Sequence, residues 1–402
     1  MTQRELFFNH LAQTSAFPLG LEIESALGTY LYATNGKKYL DFISGISVSN
    51  VGHRHHKVVE AIKNQVDKYL HLMVYGEYVQ SPQNELARAL VETFKPHFKG
   101  LDNVYFTNSG TEAIEGAMKL AKRYTQRSEI ISCFNAYHGA SQGALSLSGS
   151  PQFTRHFRPL LPEINHINYG NISDLSKISE KTAAVIIEVI SAESGIRIAP
   201  QNYFEALRNR CNKTGTLLVF DEIQTGFGRT GSFWACQSID IEPDVLVCAK
   251  GMGGGLPIGA FIASQKIMSV FTENPILGHI TTFGGNPVCC AASLATLRVI
   301  EDENLLEGVN RKGNFTKFKL NHSLIKEVRG QGLMIAVEFE SFEVLKPIID
   351  ACIEKGLITD WFLFCDNSMR IAPPLNITFE ELEWACNTIL EVLNEKKDYL
   401  SN

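Results

Sequence analysis

Two stretches of sequence decide the fold: Thr216-Leu-Leu-Val-Phe-Asp-Glu-Ile-Gln-Thr-Gly-Phe-Gly-Arg-Thr-Gly231 and Asp244-Val-Leu-Val-Cys-Ala-Lys250. Each contains an apolar run, and each run is followed by a charged residue, Asp221 in one and Lys250 in the other. Strands that are apolar on both faces are typical of a parallel sheet covered by helices on both sides. Because parallel strands end at a common edge of such a sheet, we expect Asp221 and Lys250 to lie near each other.

Similar apolar runs alternate with helical stretches between about residue 50 and residue 290. The predicted strands are residues 103–106, 129–133, 183–190, 216–220 and 244–248, and the predicted helices are residues 58–70, 81–94 and 112–124. This alternation predicts an α/β fold with a mostly parallel central sheet. We assign residues 46–295 to this large domain, and residues 1–45 together with residues 296–402 to a small α+β domain.

The composition argues against several other classes of protein. The chain has 402 residues and a formal net charge of -6, and no block of lysine and arginine marks a nucleic-acid-binding surface. No stretch of about 18 apolar residues marks a membrane-spanning helix. The nine cysteines include no C-x-x-C pair, so we expect free thiols in a cytoplasmic protein, without a disulfide framework or a metal site.

Asp221, Lys250 and the segment Ser109-Gly-Thr111 supply the groups that an enzyme needs to hold pyridoxal phosphate. The lysine offers an amine for a Schiff base, and the aspartate offers an anion that keeps the ring nitrogen protonated. The serine and Glu112 have the spacing of a capping box, so a helix should begin here. The free N–H groups at the start of that helix are suited to a phosphate, which the glycine allows to approach the backbone.

Further candidates surround this set. Tyr137 and His138 follow the predicted strand at 129–133, where an aromatic ring is suited to stacking on a flat heterocycle. Ile223 is placed to pack on the opposite face, and Gln224 to bind the phenolic oxygen of the ring. The cofactor-binding candidates are Ser109, Gly110, Thr111, Tyr137, His138, Asp221, Ile223, Gln224, Lys250 and Thr282.

Three charged residues are candidates for substrate binding. Arg370 lies beside a rigid turn in Met369-Arg-Ile-Ala-Pro-Pro374, and its guanidinium is suited to forked binding of a carboxylate. Glu188 and Glu193 follow a buried strand, and near a lysine and an arginine we expect them to form ion pairs. Taken singly, each residue has a simpler interpretation, such as a surface ion pair or a solvated loop; the combination favours a cofactor site.

Together these motifs resemble those of the class III pyridoxal-phosphate aminotransferases, the group that contains acetylornithine, ornithine and 4-aminobutyrate aminotransferases. The resemblance extends from Tyr39-Leu-Asp-Phe42 and Val51-Gly-His53 to Arg370-Ile-Ala-Pro-Pro374, and it is most specific in residues 221–255. It implies the fold-type-I architecture and a homodimer whose active sites are shared between the subunits. It also implies that an amino group passes from an amino donor to a 2-oxo acid by a ping-pong mechanism.

The resemblance also implies a role for individual residues. Lys250 forms the Schiff base and catalyses proton transfer, and Asp221 binds the pyridine nitrogen. Arg370 binds the α-carboxylate of glutamate, and Glu193 neutralises this arginine when an ω-amine is bound instead. The implied phosphate ligands are Ser109, Gly110, Thr111 and, from the neighbouring subunit, Thr282.

One position departs from the family's usual sequence. Enzymes for acetylornithine, ornithine and 4-aminobutyrate usually have an arginine directly after the Tyr-His-Gly motif, where it binds a distal carboxylate; here the residue is Ala140. The family's Glu-Pro-[Val/Ile]-Gln-Gly-Glu-Gly-Gly segment is also altered, to Glu188-Val-Ile-Ser-Ala-Glu-Ser-Gly195. Losing a charged fork typically costs roughly 2–5 kcal/mol of binding, so the substrate should change with it. Arg155, Arg158 or a residue of the partner subunit replaces the arginine, or the acceptor is smaller, such as pyruvate, or the donor has no distal carboxylate.

Other functions remain as alternatives. A decarboxylase, an aminomutase or a racemase uses the same lysine and aspartate, and sequence discriminates poorly among these reactions. A non-catalytic homologue is disfavoured because Lys250, Asp221 and the phosphate-binding segment are all kept. A nucleotide-binding oxidoreductase would need G-x-G-x-x-G after a strand and an acidic residue about 20 positions later, and neither is clearly present.

Overall fold

The computed structural model describes residues 1–75, 77–95 and 97–400, with side chains up to residue 396. The α-helices of this part of the chain, α1 to α14, are Gln3–His10, Ser44–Ser47, His56–Val66, Ser81–Glu92, Gly110–Thr125, Gln142–Ser146, Pro151–Thr154, Gln201–Thr214, Ala235–Ser238, Gln265–Met268, Pro287–Asp302, Leu305–Lys319, Phe342–Glu354 and Phe379–Leu400. The strands, β1 to β17, are Ile23–Leu27, Tyr30–Ala33, Lys38–Asp41, Asn103–Thr107, Glu129–Cys133, Ile164–Ile167, Thr182–Glu188, Ile190–Ser191, Arg197–Ile198, Leu217–Asp221, Val245–Cys248, Gly259–Ala263, Glu327–Gln331, Met334–Glu338, Leu357–Ile358, Asp360–Phe362 and Cys365–Ile371.

The described residues form a central sheet of seven strands in the order β4-β12-β11-β10-β7-β5-β6. Strand β10 is parallel to both β7 and β11, and β5 is parallel to both β7 and β6. Strand β12 is antiparallel to its neighbours β4 and β11. The predicted α/β fold with a mostly parallel central sheet is therefore confirmed.

Both faces of the central sheet are apolar, and helices cover both. Successive side chains of a strand point to opposite faces. Along β7, Val185 and Ile187 pack into one apolar cluster with residues of α4, α8 and α11. Ala184 and Ile186 pack into a second cluster, with residues of α5. Burial on both faces explains why β7 is apolar from residue 183 to residue 187 and does not alternate in polarity.

Two smaller sheets bring the ends of the chain together. Strands β1, β2 and β3 form one sheet with β15, which runs parallel to β3. Strands β13, β14, β17 and β16 form the other, and it is antiparallel. Tyr39 and Phe42 share an apolar core with Ile348 and Ile389. This shared core supports the proposed division into residues 46–295 and residues 1–45 with 296–402, which stays a prediction.

The last helix, α14, has a well-defined N-terminal cap. The Thr378 N–H donates to Glu381 Oε2 at 2.9 Å, and the Glu381 N–H donates to Thr378 Oγ1 at 3.1 Å. These reciprocal bonds form a capping box. In the described part of the chain, each helix is too short or too polar to cross a lipid bilayer.

Candidate active site

A cavity of about 470 Å³ opens at the carboxyl edge of the central sheet. Asn108 follows β4, Glu188 ends β7, Asp221 ends β10 and Lys250 follows β11, and all four line this cavity. Ligands of open α/β sheets bind at this edge, beyond the carboxyl ends of the strands. Eleven of the predicted site residues line it: Ser109, Gly110, Thr111, Tyr137, His138, Glu188, Glu193, Asp221, Ile223, Gln224 and Lys250.

Lys250 is held in an unusual backbone conformation. It begins a short 3-10 turn after β11, and its φ of 45° lies in the left-handed region. Residues other than glycine rarely occupy this region, and such strain clusters at functional sites. Burial lowers the pKa of the Lys250 amine, although the carboxylate of Glu193 opposes this effect. The lowered pKa increases the fraction of neutral, nucleophilic amine.

Asp221 is oriented by two hydrogen bonds. Nδ1 of His138 donates to Asp221 Oδ2 over 2.6 Å, and the N–H of Ile223 donates to Asp221 Oδ1 at 2.9 Å. Both side chains of the imidazole–carboxylate pair are buried. The imidazole of His138 therefore orients the carboxylate of Asp221 at the cavity. This contact makes His138 part of the site.

Helix α5 begins at the cavity, as the sequence predicts, but its cap differs from the expected capping box. The N–H of Glu112 donates to Ser109 Oγ at 3.3 Å, which is the expected half of the motif. The Glu112 carboxylate, however, accepts from the backbone N–H and the side-chain Nδ2 of Asn108, both at 2.7 Å. The predicted reciprocal bond, from the Ser109 N–H to the Glu112 carboxylate, was therefore wrong. The carboxylate binds the preceding residue, Asn108, and so orders the loop after β4.

Gly110 allows a close approach between this helix and the loops around it. An added Cβ would lie 2.9 Å from Cδ1 of Ile223 and 3.3 Å from Cβ of Ala249. Next to it, Oγ1 of Thr111 lies 2.6 Å from Oγ of Ser141 and accepts from the Ser141 N–H at 3.1 Å. A side chain at position 110 would thus displace the helix N-terminus, whose free N–H groups and positive dipole favour an anion.

Glu193 and Arg370 form a buried, forked ion pair beside the cavity. Nη1 of Arg370 donates to Glu193 Oε1 at 2.7 Å, and Nη2 donates to Glu193 Oε2 at 3.0 Å. Both side chains are 4% exposed, so the interpretation of Arg370 as part of a surface ion pair was wrong. Nε2 of Gln224 also approaches Glu193 Oε1, at 3.4 Å. Burial raises the pKa of Glu193, but Arg370, together with Lys250 and the N–H of Leu363, lowers it by more, so the net pKa is lowered.

Glu188 lies beside Asp221, because the two residues are register neighbours on parallel strands β7 and β10. Burial raises the pKa of Glu188 well above its usual value, and the charge of Asp221 adds to this. Its Oε1 accepts from the N–H of Ala192 at 3.1 Å. The environment of Glu188 therefore favours its neutral form, whereas the environment of Glu193 favours the ionised form.

A family model for aminotransferase class-III matches residues 12–393 of the chain. The chain belongs to the class III aminotransferases. It is 38% identical to an acetylornithine aminotransferase of Methanopyrus kandleri over 98% of this chain and 99% of that protein. It is also 38% identical to an ornithine aminotransferase of Oceanobacillus iheyensis, over 96% of both chains. A putrescine aminotransferase of Pectobacterium atrosepticum is 38% identical over 92% of this chain and 80% of its own length.

Solved structures of transaminases have the same fold. A transaminase from the marine bacterium Virgibacillus superposes with a TM-score of 0.92 and 28% identity, over 99% of both chains. The ornithine aminotransferase of Toxoplasma gondii superposes with a TM-score of 0.90 and 29% identity, over 99% of this chain and 97% of that chain. The predicted fold-type-I architecture is confirmed. The protein is a pyridoxal-phosphate-dependent aminotransferase.

The residues at the cavity of this aminotransferase fit pyridoxal phosphate. Lys250 supplies an amine, Asp221 a buried carboxylate, and the start of α5 an anion-binding helix terminus, and these are the groups that the cofactor requires. In addition, Nε2 of His138 is buried and has no hydrogen-bond partner among the described residues. Buried polar atoms normally have a hydrogen-bond partner, so this unpaired atom at the cavity is consistent with a site that binds a polar group.

The substrate end of the aminotransferase cavity differs from the family's usual arrangement. Ala140 lines the cavity and is exposed. Arg155 and Arg158 are also exposed but are not among the residues that line the described cavity. The replacement of the usual arginine by Arg155, by Arg158 or by a residue of the partner subunit stays a prediction.

Thr282 is exposed and is not part of the cavity that its own described chain forms. Its neighbour Thr281 accepts a hydrogen bond from Nδ2 of Asn108 at 3.0 Å, so the segment runs past the start of α5. The assignment of Thr282 to the phosphate of a neighbouring subunit stays a prediction. The described residues bring together no group of three or more histidine, cysteine, aspartate or glutamate side chains suited to a metal ion.

Sequence reasoning missed Asp360, whose Oδ1 accepts from Nε of Arg370 at 3.0 Å. The contact arises because Asp360 and Arg370 are opposite each other in the pairing of β16 with β17. The sequence does not predict that Asp360 pairs with Arg370, because Asp360 lies in a short strand without a regular alternation of polarity. Asp360 is a second carboxylate on the arginine of the aminotransferase.

Proposed function

We propose that this aminotransferase transfers an amino group from an amino acid or an ω-amine, of the acetylornithine, ornithine or 4-aminobutyrate kind, to a 2-oxo acid. The observation that carries the proposal is the placement of Lys250, Asp221 and the Arg370-bound Glu193 around one cavity. A ping-pong reaction needs an amine, an anion for the ring and a carboxylate-binding group at a shared site. The acetylornithine, ornithine and putrescine aminotransferases among the relatives support this range of donors.

Lys250 is the proposed covalent anchor of the cofactor and the carrier of the proton. With pyridoxal phosphate bound, the Lys250 amine would hold the cofactor until a substrate amine replaced it. The neutral amine, held at the same cavity, would then be the group that accepts and returns a proton at the substrate carbon. The lowered pKa of Lys250 supports this role, because a protonated amine cannot accept a proton.

Asp221 is the proposed ligand of the pyridine nitrogen. Its charge, fixed by His138 in a desolvated site, favours the protonated form of that nitrogen. Pyridoxal phosphate, when bound, supplies an electron-withdrawing ring that stabilises negative charge at the substrate carbon. Asp221 is therefore proposed to promote the reaction by keeping the ring nitrogen protonated.

The other cofactor contacts are assigned from their places around the same cavity. Tyr137 and Ile223 are assigned to the two faces of the ring, and Gln224 to its phenolic oxygen. His138 is assigned a place beside the cofactor, where it holds the carboxylate of Asp221. The proposed phosphate ligands are Ser109, Gly110 and Thr111 at the start of α5, with Thr282 supplied by the neighbouring subunit.

Arg370 is the proposed binding group for the α-carboxylate of the substrate. With an ω-amine bound, its fork stays on Glu193, which neutralises the buried charge. With a 2-oxo acid bound, the substrate carboxylate takes the place of Glu193, because both offer two oxygen atoms to the same pair of N–H donors. Ala140 leaves the distal end of the substrate without an arginine from the usual position. The distal carboxylate of an acetylornithine, ornithine or 4-aminobutyrate donor therefore needs another binding group, whereas putrescine, which has no carboxylate, needs none.

We also propose a homodimer in the cytoplasm. The segment that carries Thr282 has two large exposed apolar side chains, Ile280 and Phe283, which are suited to a subunit interface. All nine cysteines lie in the described residues and are free thiols, which supports a reducing compartment.

The visible absorption of the purified holoenzyme tests the proposal. The protein is titrated with a panel of amino acids and ω-amines that includes acetylornithine, ornithine, 4-aminobutyrate and putrescine. We expect certain donors to bleach the cofactor band, and a 2-oxo acid to restore it. Lys250→Ala should lose this band and all turnover while keeping its fold, whereas the exposed Lys266→Ala should behave as the wild type. A band that donors bleach but no 2-oxo acid restores would contradict transamination by this site.

A further inference from the structure

The guanidinium of Arg370 is held along two different edges. One edge, formed by Nη1 and Nη2, faces the two carboxylate oxygens of Glu193. The other edge is formed by Nε, which donates to Asp360 Oδ1 at 3.0 Å, and by Nη2, which also donates to the carbonyl oxygen of Trp361 at 3.1 Å. The two carboxylates therefore do not compete for the same N–H groups, since a guanidinium has five donors in a fixed fork.

The second edge is built from the hairpin to which Arg370 itself belongs. Asp360 is opposite Arg370 in the antiparallel pairing of β16 with β17, and Thr359 Oγ1 donates to the Arg370 carbonyl oxygen at 2.6 Å. The buried ring of Phe362 lies beneath the guanidinium, with 4.6 Å between Cζ and the ring centroid. These contacts therefore lie within the β16–β17 hairpin and do not depend on other parts of the chain.

Glu193 belongs to a different part of the chain, the turn between β8 and β9. The N–H of Phe364 donates to the Glu193 carbonyl oxygen at 3.0 Å, and the N–H of Leu363 donates to its Oε2 at 3.1 Å. The main-chain bond does not involve the carboxylate. The side chain of Glu193 can therefore turn away from Arg370 while the turn itself stays attached to the hairpin.

We propose that Asp360 is a positioning residue for substrate carboxylates, which holds the Nε edge of Arg370 while the Nη edge changes partner from Glu193 to the substrate. The inference rests on the proposed function of Arg370. Without a fixed edge, a long arginine side chain that loses its forked partner is free to change rotamer. Asp360 also keeps the Nε–H of the buried guanidinium hydrogen-bonded during the exchange, when an unsatisfied buried donor would be costly.

The acceptor half-reaction tests this role without requiring a known donor. Wild type, Asp360→Ala and Asp360→Asn are each prepared with pyridoxamine phosphate and mixed with 2-oxoglutarate or pyruvate at about pH 8. This pH lies above the pKa of Asp360, which burial raises to about 6. We expect Asp360→Ala to raise the apparent KM for the 2-oxo acid about tenfold or more, the cost of losing a charge-assisted hydrogen bond, with the limiting rate changed less than about threefold. Asp360→Asn keeps an acceptor oxygen for Nε and should restore KM to within about threefold.

The controls separate positioning from a general loss of stability. Asp366→Ala removes an exposed aspartate from the same hairpin and should leave both constants unchanged. If Asp360→Ala does not fold, Asp360→Leu, which replaces the carboxylate with a larger apolar side chain and leaves no cavity, makes the same measurement. The inference would be overturned if Asp360→Ala left KM unchanged. It would also be overturned if the limiting rate fell by the same factor as KM rose and Asp360→Asn did not reverse either change. If the wild type reacts with neither 2-oxo acid, it is the proposed function of the site that fails.

Discussion

Nδ1 of His138 lies 2.6 Å from Oδ2 of Asp221, and both side chains are buried. The contact connects the loop after β5 to the end of β10, two strands that are separated in the sheet by β7. Since an ionised carboxylate only accepts hydrogen bonds, the imidazole Nδ1 carries the proton and donates it. The orientation of the Asp221 charge is thus set by the protein and does not depend on a bound ligand.

Asp221→Ala should lower turnover by on the order of 100-fold or more, because the ring nitrogen loses its anion and a buried imidazole loses its acceptor. Asp221→Asn keeps the shape of the side chain without its charge, and it should lose a comparable factor. The measurement is kcat of the cofactor-loaded enzyme, with the exposed Asp240→Asn as the matched control. Near-normal activity in Asp221→Ala would contradict the role assigned to its charge.

The strands of the central sheet are easier to predict from sequence than their order. Strands β10 and β11 are buried on both faces, so residues 217–220 and 245–248 form uninterrupted apolar runs. Strand β12, Gly259–Ala263, is equally apolar, but it lies antiparallel between β4 and β11. Its place depends on pairing with residues more than a hundred positions earlier in the chain, and local periodicity carries no information on this.

The same limit applies to the candidate site. Lys250 and Asp221 can be predicted because each directly follows a strand signal, and parallel strands end at one edge. Asp360 cannot, because its contact with Arg370 depends on the register of a short hairpin. The Glu112 carboxylate is a similar case. Its position in the sequence predicts a hydrogen bond from the Ser109 N–H, but in the folded loop it accepts hydrogen bonds from Asn108.

Arg229 should be a major source of stability, because its buried guanidinium joins three parts of the chain. Nη1 donates to the carbonyl oxygens of Leu333 and Pro373. Nη2 donates to Ser44 Oγ at 3.2 Å and to Asn50 Oδ1 at 2.6 Å. Arg229→Met leaves these acceptors without their donor, so we expect it to lower the free energy of unfolding by about 3 kcal/mol or more.

Urea denaturation measures this loss against a surface control. Arg298→Met removes an exposed arginine that pairs with Glu301, and such pairs contribute at most about 1 kcal/mol. A loss in Arg229→Met no larger than that of Arg298→Met would show that the buried guanidinium is dispensable for stability.

His279 should make the protein less stable in acid. Burial lowers its pKa to about 4, and Lys119, whose Nζ donates to His279 Nδ1 at 2.9 Å, adds to this. Its folded-state pKa lies below the ordinary value of 6.5, so the unfolded state binds more protons between these two values. Stability therefore falls as the pH decreases through this window. In His279→Gln the fall in the urea midpoint between about pH 7 and about pH 5 should be smaller, whereas the exposed His10→Gln should match the wild type.

Glu188→Gln should keep most of the activity, because burial favours the neutral form of the carboxyl group that it replaces. Burial, and then the charge of Asp221, raise the pKa of Glu188 well above its usual value, so a neutral amide reproduces both its charge and its acceptor for the Ala192 N–H. We expect kcat within about threefold of the wild type and an unchanged pH profile between about pH 6 and about pH 8. Glu188→Ala leaves that buried N–H unpaired and should cost about 1–3 kcal/mol of stability. A large loss of kcat in Glu188→Gln, on a normally folded protein, would mean that Glu188 works as an ionised carboxylate.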